Sequence, residues 1–231
     1  MKLCVFSDIH GNGPAFDIAL GGILSEQADI NIFLGDLCGY YYDQMEIFHR
    51  LWAIPNLVSL RGNHDSLFID IYNGDEDVRQ NYLNCYGKSM EKLLQSDCHE
   101  LVNWLSKLPD SITREDYDGI TFCHGSPWSP ANGYIYPDTP LDRFDTFASS
   151  VYILGNTHYP MHRMIGEKII INPGSLGQPR HGGWPSYAVL DLPSGKVVFR
   201  EVRYDMSPLY CQIEETMENN RYLKEVLCRV K

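Results

Sequence analysis

Five short segments of this 231-residue chain concentrate side chains suited to holding metal ions: Asp8 with His10, Asp36, Asn63 with His64, His124, and His158. Carboxylate oxygen, amide oxygen and imidazole nitrogen together favour manganese, iron, zinc or cobalt, and the set holds no thiolate that would select a softer ion. Asp8 and His10 stand at i and i+2, which on extended backbone puts both on one face and within reach of one ion. Each match also has a plain structural reading. Asp8 and Asp36 can be turn acceptors or helix caps, His124 a hydrogen-bonded core residue, and Gly62-Asn63 a common turn dipeptide. Folding alone gives no reason for D-x-H, G-D, G-N-H-D, H-G and G-x-x-H to occur in order, each just after an apolar run.

Those apolar runs define the elements that must carry the ligands. Leu3 to Phe6 reads as a strand, followed by a loop and a helix over Pro14 to Leu24 with proline near its first turn. The pattern returns with a strand at Ile30 to Leu34, Gly35-Asp36, a tyrosine-rich loop and a helix from Gln44 to Trp52. A third strand, Asn56 to Leu60, ends in Arg61-Gly62-Asn63-His64-Asp65. Polar loops after apolar strands are where open α/β sheets place their ligands. Residues 66 to 108 are helical in character and read as an insertion. From Ile112 the chain turns to strands: Gly119 to Cys123, Val151 to Leu154, Lys168 to Ile171, Ser186 to Leu190 and Lys196 to Val202. Leu192-Pro193-Ser194-Gly195 is expected to be a hairpin turn, and Ser207 to Val230 a terminal helix. With no repeat and no Ser/Gly linker, residues 1–231 are expected to form one domain.

Composition excludes several classes. Hydrophobic residues make up 44% and charged residues 21%, the balance of an ordinary folded protein. The net charge of −11 repels polyanions and argues against general binding to a nucleic-acid backbone, so any phosphate bound here needs local cations. No apolar run reaches the ~20 residues needed to span a bilayer. Asp8 and His10 interrupt the N-terminal apolar stretch before a signal sequence can form, and a cytoplasmic chain is expected. Seven cysteines, an odd number without a C-x-x-C pair, point to reduced thiols, with Cys4, Cys38 and Cys123 as small buried side chains.

Longer pieces carry a resemblance. Gly35-Asp36-Leu37-Cys38-Gly39-Tyr40, Leu60-Arg61-Gly62-Asn63-His64-Asp65, His124-Gly125-Ser126-Pro127 and the run from Ile171 through Asn172-Pro173-Gly174-Ser175 to Arg180 resemble the calcineurin-like metallophosphoesterases. Within that superfamily they are similar to its small bacterial and archaeal phosphodiesterase branch, which includes diadenosine-tetraphosphatase-like proteins. The resemblance runs from Asp8 to about Leu190. It implies an α/β, four-layer αββα sandwich of two mixed β-sheets flanked by helices, with two divalent metal ions at the strand ends. Manganese is the first expectation, with iron, zinc, cobalt or nickel as alternatives.

Carried over residue by residue, the resemblance puts one ion on Asp8, His10, Asp36 and His158, with Asp36 bridging to a second ion held by Asn63 and His124. The family's last motif reads G-H-x-H, whereas this chain has Gly155-Asn156-Thr157-His158. Asn156 offers an amide oxygen in place of an imidazole, so the second site is expected to be the weaker. The implied activity is hydrolysis of phosphodiester or phosphoanhydride bonds in small esters, nucleotides among them, by a metal-activated hydroxide. His64 is expected to protonate the leaving oxygen and Asp65 to orient its ring. Arg61 and Arg180 are candidate phosphate clamps beside the alternative of bracing loops. Tyr40, Tyr41, Tyr42, Trp128, Tyr134 and Tyr136 either stack a nucleobase or pack the core. Two other readings stand beside this one. A phosphomonoesterase or protein phosphatase would need an arginine soon after Gly35-Asp36, where Leu37 to Tyr40 stand; a degenerate scaffold for protein binding draws only on Asn156.

Overall fold

The computed structural model describes residues 1–115, 119–216 and 221–229. The chain opens with β1 (Lys2–Phe6), α1 (Gly13–Ser25), β2 (Ile30–Phe33), α2 (Gln44–Leu51) and β3 (Leu57–Ser59). Four helices follow: α3 (Asn63–Tyr72), α4 (Glu76–Tyr86), α5 (Ser89–Leu94) and α6 (His99–Leu105). Then come β4 (Ser111–Arg114), β5 (Ile120–Cys123), a 3-10 turn (Asp142–Thr146), β6 (Val151–Leu154), β7 (Pro160–Ile165) and β8 (Lys168–Pro173). The chain continues through β9 (Ser186–Asp191), β10 (Lys196–Glu201), α7 (Ser207–Glu215) and α8 (Arg221–Leu227).

The strands form two mixed five-stranded sheets, ordered β10-β9-β1-β2-β3 and β4-β5-β6-β8-β7. In the first, β1, β2 and β3 run parallel; in the second, β5, β6 and β8 do. Alternation along β1 explains the layering. Leu3 and Val5 join Ile32, Ile120, Phe122 and Ile153 in an apolar layer between the sheets, while Cys4 and Phe6 face the helices with Phe16, Phe33 and Phe48. Period-two side chains on a strand buried on both faces produce this continuous apolar run. The far side of the second sheet is covered by Leu141 and Phe144 around the 3-10 turn, which pack on Tyr152, Leu154 and Ile170.

Two elements differ from expectation. β7 was not anticipated, because it starts at Pro160 and exposes His162 and Met164 on an edge of its sheet, where proline is tolerated and alternation is weak. The expected single terminal helix is instead α7, capped at Thr216, and α8. Val230 lies outside the described residues. Both helices pack on Tyr40, Tyr41 and Tyr42 through Leu209, Ile213, Leu223 and Leu227. That assigns Tyr41 and Tyr42 to core packing, while Tyr40 also lines the cavity.

Candidate metal centre

Every ligand-type residue leaves the C-terminal end of a strand that has a parallel neighbour. Asp8 and His10 follow β1, Asp36 follows β2, Asn63 and His64 follow β3, His124 follows β5, and Asn156 and His158 follow β6. Because the two sheets pack face to face, these ends meet at one rim. The backbone there is unusual. Asp8, His10, Asp36, Tyr40, Asn156 and His158 all have φ between 47° and 65°. Left-handed conformation costs about 1 kcal/mol or more at each non-glycine residue, and Asp, Asn and His tolerate it best. A cluster of such residues around one cavity marks a site held against local preference.

Three rings are oriented alike. Nδ1 of His10 donates to the Cys38 carbonyl at 2.9 Å, Nδ1 of His124 to the Leu34 carbonyl at 2.9 Å, and Nδ1 of His158 to the Gln178 carbonyl at 2.7 Å. Each bond fixes the tautomer and turns Nε2 inward. His10 Nε2 lies 3.1 Å from His158 Nε2, and His158 Nε2 is 3.3 Å from Asp8 Oδ1, a buried oxygen that accepts no hydrogen bond. His124 Nε2 is 3.3 Å from Asp36 Oδ2 and 3.0 Å from Asn63 Oδ1. Asp36 Oδ2 is also 3.6 Å from His10 Nε2, so it stands between the two sets. The donor atoms of Asp8, His10 and His158, and those of Asp8, Asp36 and His124, each lie within 4.8 Å of one another. Facing lone pairs and an unsatisfied buried carboxylate oxygen are what a cation would neutralise, and the donor set fits a divalent ion.

The electrostatics agree. Burial opposes ionisation of Asp8 and Asp36, but the imidazoles of His158 beside Asp8 and His124 beside Asp36 outweigh it and hold both carboxyls below their usual range. Burial drives the pKa of His10 well down, leaving its ring neutral. For His124 burial also lowers the pKa, yet Asp36 prevails and raises it to about 10, so without an ion a proton stands on the ring where a cation would bind.

The family description "Calcineurin-like phosphoesterase superfamily domain" matches residues 1–195. The chain belongs to that superfamily. It is 29% identical over 234 residues to the uncharacterized protein MJ0912 of Methanocaldococcus jannaschii, covering 91% of each chain. It is 26% identical over 200 residues to phosphodiesterase YfcE of Escherichia coli, covering 83% of this chain and 88% of that one. Its fold superposes on a metallophosphoesterase from Sphaerobacter thermophilus with a TM-score of 0.83 at 25% identity, over 100% of this chain and 99% of the other.

Against this superfamily frame, the remaining expected residues fall in different places. His64 reaches the cavity wall; its Nδ1 has no hydrogen-bond partner, and burial pushes its pKa down to about 4. Asp65 takes another role than orienting that ring. Its carboxylate accepts the backbone N–H groups of Asp36 at 2.8 Å, Cys38 at 3.0 Å and Gly62 at 3.0 Å, tying the β2 and β3 loops together. His64 is instead enclosed by Tyr40, Tyr82 and Tyr86, with ring centroids 5.0, 5.9 and 5.2 Å away. Arg61 is held by Asp110 through Nε at 3.1 Å and Nη2 at 2.8 Å, bracing the loop before β4 and not lining the cavity. Arg180 does line it. The Asn156 side-chain amide donates to the Gly133 carbonyl at 3.0 Å, and its backbone N–H donates to Asp8 Oδ2 at 3.2 Å. Sequence reasoning passed over Tyr86, Tyr222 and Arg229, which also line the cavity. Tyr86 and Tyr222 belong to α4 and α8, Arg229 lies just past the end of α8, and no motif marks them.

Proposed function

We propose that this chain is a metal-dependent phosphoesterase that hydrolyses phosphodiester or phosphoanhydride bonds of small esters. The observation that carries this reading is the convergence of inward-facing Nε2 atoms on Asp8 and Asp36 at the strand ends. Asp8, His10 and His158 would hold one divalent ion, and Asn63 and His124 the other, with Asp36 serving both. Manganese is the first choice, then iron, zinc, cobalt or nickel. Bound there, the ions would supply an activated water at neutral pH and positive charge for the phosphoryl oxygens.

The chain's own residues do the rest. The Cys38, Leu34 and Gln178 carbonyls keep the three rings in the tautomer that presents Nε2. Asp36 Oδ1 accepts the backbone N–H of His64 at 2.8 Å, which fixes the start of α3 and leaves Oδ2 for the cluster. His64, walled by tyrosines, would donate a hydrogen bond from its ring N–H to the leaving oxygen as negative charge builds there. Asn156 stands where a second imidazole would strengthen the site on His124, and that site is the weaker of the two. A cytoplasmic location belongs to the same reading, supported by an odd cysteine count without C-x-x-C spacing.

The test is hydrolysis of bis(p-nitrophenyl) phosphate and p-nitrophenyl phosphate by manganese-loaded protein. The diester is expected to turn over much faster than the monoester, and Asp36→Asn to lower the rate at least about a hundred-fold. Equal rates for wild type and Asp36→Asn would overturn the proposal.

A further inference from the structure

The family description ends at residue 195, yet α8, well beyond it, supplies part of the wall of the metal cavity through Tyr222 and, just past its end, Arg229. The helix is tied to the centre: the Tyr222 hydroxyl donates to Gln178 Oε1 at 3.3 Å, and the carbonyl of Gln178 orients His158. Arg229 lies with its guanidinium carbon 5.3 Å from the Tyr222 ring centroid. Arg180 reaches the same cavity from the loop after β8, its Nη2 3.5 Å from the Tyr40 hydroxyl and its buried Nε without a hydrogen-bond partner.

Neither guanidinium meets a carboxylate among the described residues, although the chain has 30 acidic side chains. By contrast Arg50, Arg61, Arg79, Arg200 and Arg203 each pair with one. A partly buried guanidinium with open donors is costly unless an anion fills them, and its fork geometry matches a phosphate. The cavity, about 510 Å³, is larger than a single phosphoryl group needs and lies in the range of sites that enclose a whole small molecule.

We infer that Arg180 and Arg229 form a second anion subsite, so that the preferred substrate carries a further phosphate beside the one that reacts at the metal cluster, as in compounds with phosphoanhydride-linked phosphates. This rests on reading the cluster as a phosphoesterase centre. It makes α8 the element that separates this chain's substrates from simple diesters.

The experiment uses the full manganese-loaded chain. Values of kcat/KM are measured for diadenosine tetraphosphate and for bis(p-nitrophenyl) phosphate, which has one anionic phosphate, in wild type, Arg229→Gln and Arg229→Lys. Calorimetry compares binding of α,β-methylene-ADP with AMP. Arg229→Gln is expected to lower the tetraphosphate-to-diester ratio at least about ten-fold, chiefly through KM, and to remove a similar share of the methylene-ADP advantage, with Arg229→Lys recovering part. An unchanged ratio and an unchanged affinity difference, in a variant whose melting temperature matches wild type, would overturn the subsite. If Arg229→Gln does not fold, Arg180→Gln gives the same two readouts. Should wild type hydrolyse neither ester, the phosphoesterase reading fails while the calorimetry still judges the subsite.

Discussion

Asp65 and His124 show how much a side chain's role depends on what its neighbours leave it to do. Both types were visible in the sequence as chemistry-bearing groups, but the backbone partners that orient them, three N–H groups for Asp65 and the Leu34 carbonyl for His124, are named by no motif. Asp65 accepts three amide N–H groups from the loops carrying Asp36 and Asn63. Asp65→Ala would leave those donors buried without an acceptor and is expected to destabilise the fold by about 3 kcal/mol or more, measured by urea unfolding. His64→Ala, which removes a ring that makes no hydrogen bond through Nδ1, should cost much less in the same assay. His124 gives a pH dependence. Its pKa is raised in the ion-free protein to about 10, so an ion binding there must displace a proton at any lower pH. Affinity for that ion should therefore rise about ten-fold per pH unit through the neutral range, with close to one proton released. Calorimetry in buffers of different protonation enthalpy measures this, and binding without proton release would contradict it.

At the scale of elements, the strands preceding the ligand loops were legible because each is a short apolar run closed by Gly, Asp, Asn or His. The left-handed backbone of Asp8, His10, Asp36, Asn156 and His158 was not, since φ depends on how two sheets bring loops together and no local sequence rule demands it. The β2 and β3 loops interlock at Gly62, where an added Cβ would collide with Asp36 Oδ1 and the Asp36 backbone nitrogen. Gly62→Ala must therefore push Asp36 out of place. It is expected to weaken manganese binding at least about ten-fold while also lowering the melting temperature. Calorimetry and thermal unfolding check both effects. Gly21, on the exposed side of α1 with nothing near its Cβ position, is the natural control. The division of the tail into α7 and α8, and with it the placement of Tyr222 and Arg229 in the cavity wall, was hidden because the tail's apolar residues pack on a tyrosine loop far away in sequence.

The whole molecule is acidic, with a net charge of −11, so the proposed phosphate chemistry would have to be gathered into one cationic spot. Two sheets point parallel strand ends at a common rim, and the family and the layered fold were readable in advance because they repeat one pattern: strand, then polar loop. The second site is proposed to be the weaker one because of Asn156. Its amide nitrogen is held by the Gly133 carbonyl. The most direct test of the two-ion centre is an anomalous difference map from crystals grown with limiting and then excess manganese. The expected result is a first peak among Asp8, His10 and His158, joined at excess by a second among Asp36, Asn63 and His124. A map with no peak at either place, the same side chains remaining bonded to one another, would contradict the proposed centre and the activity built on it.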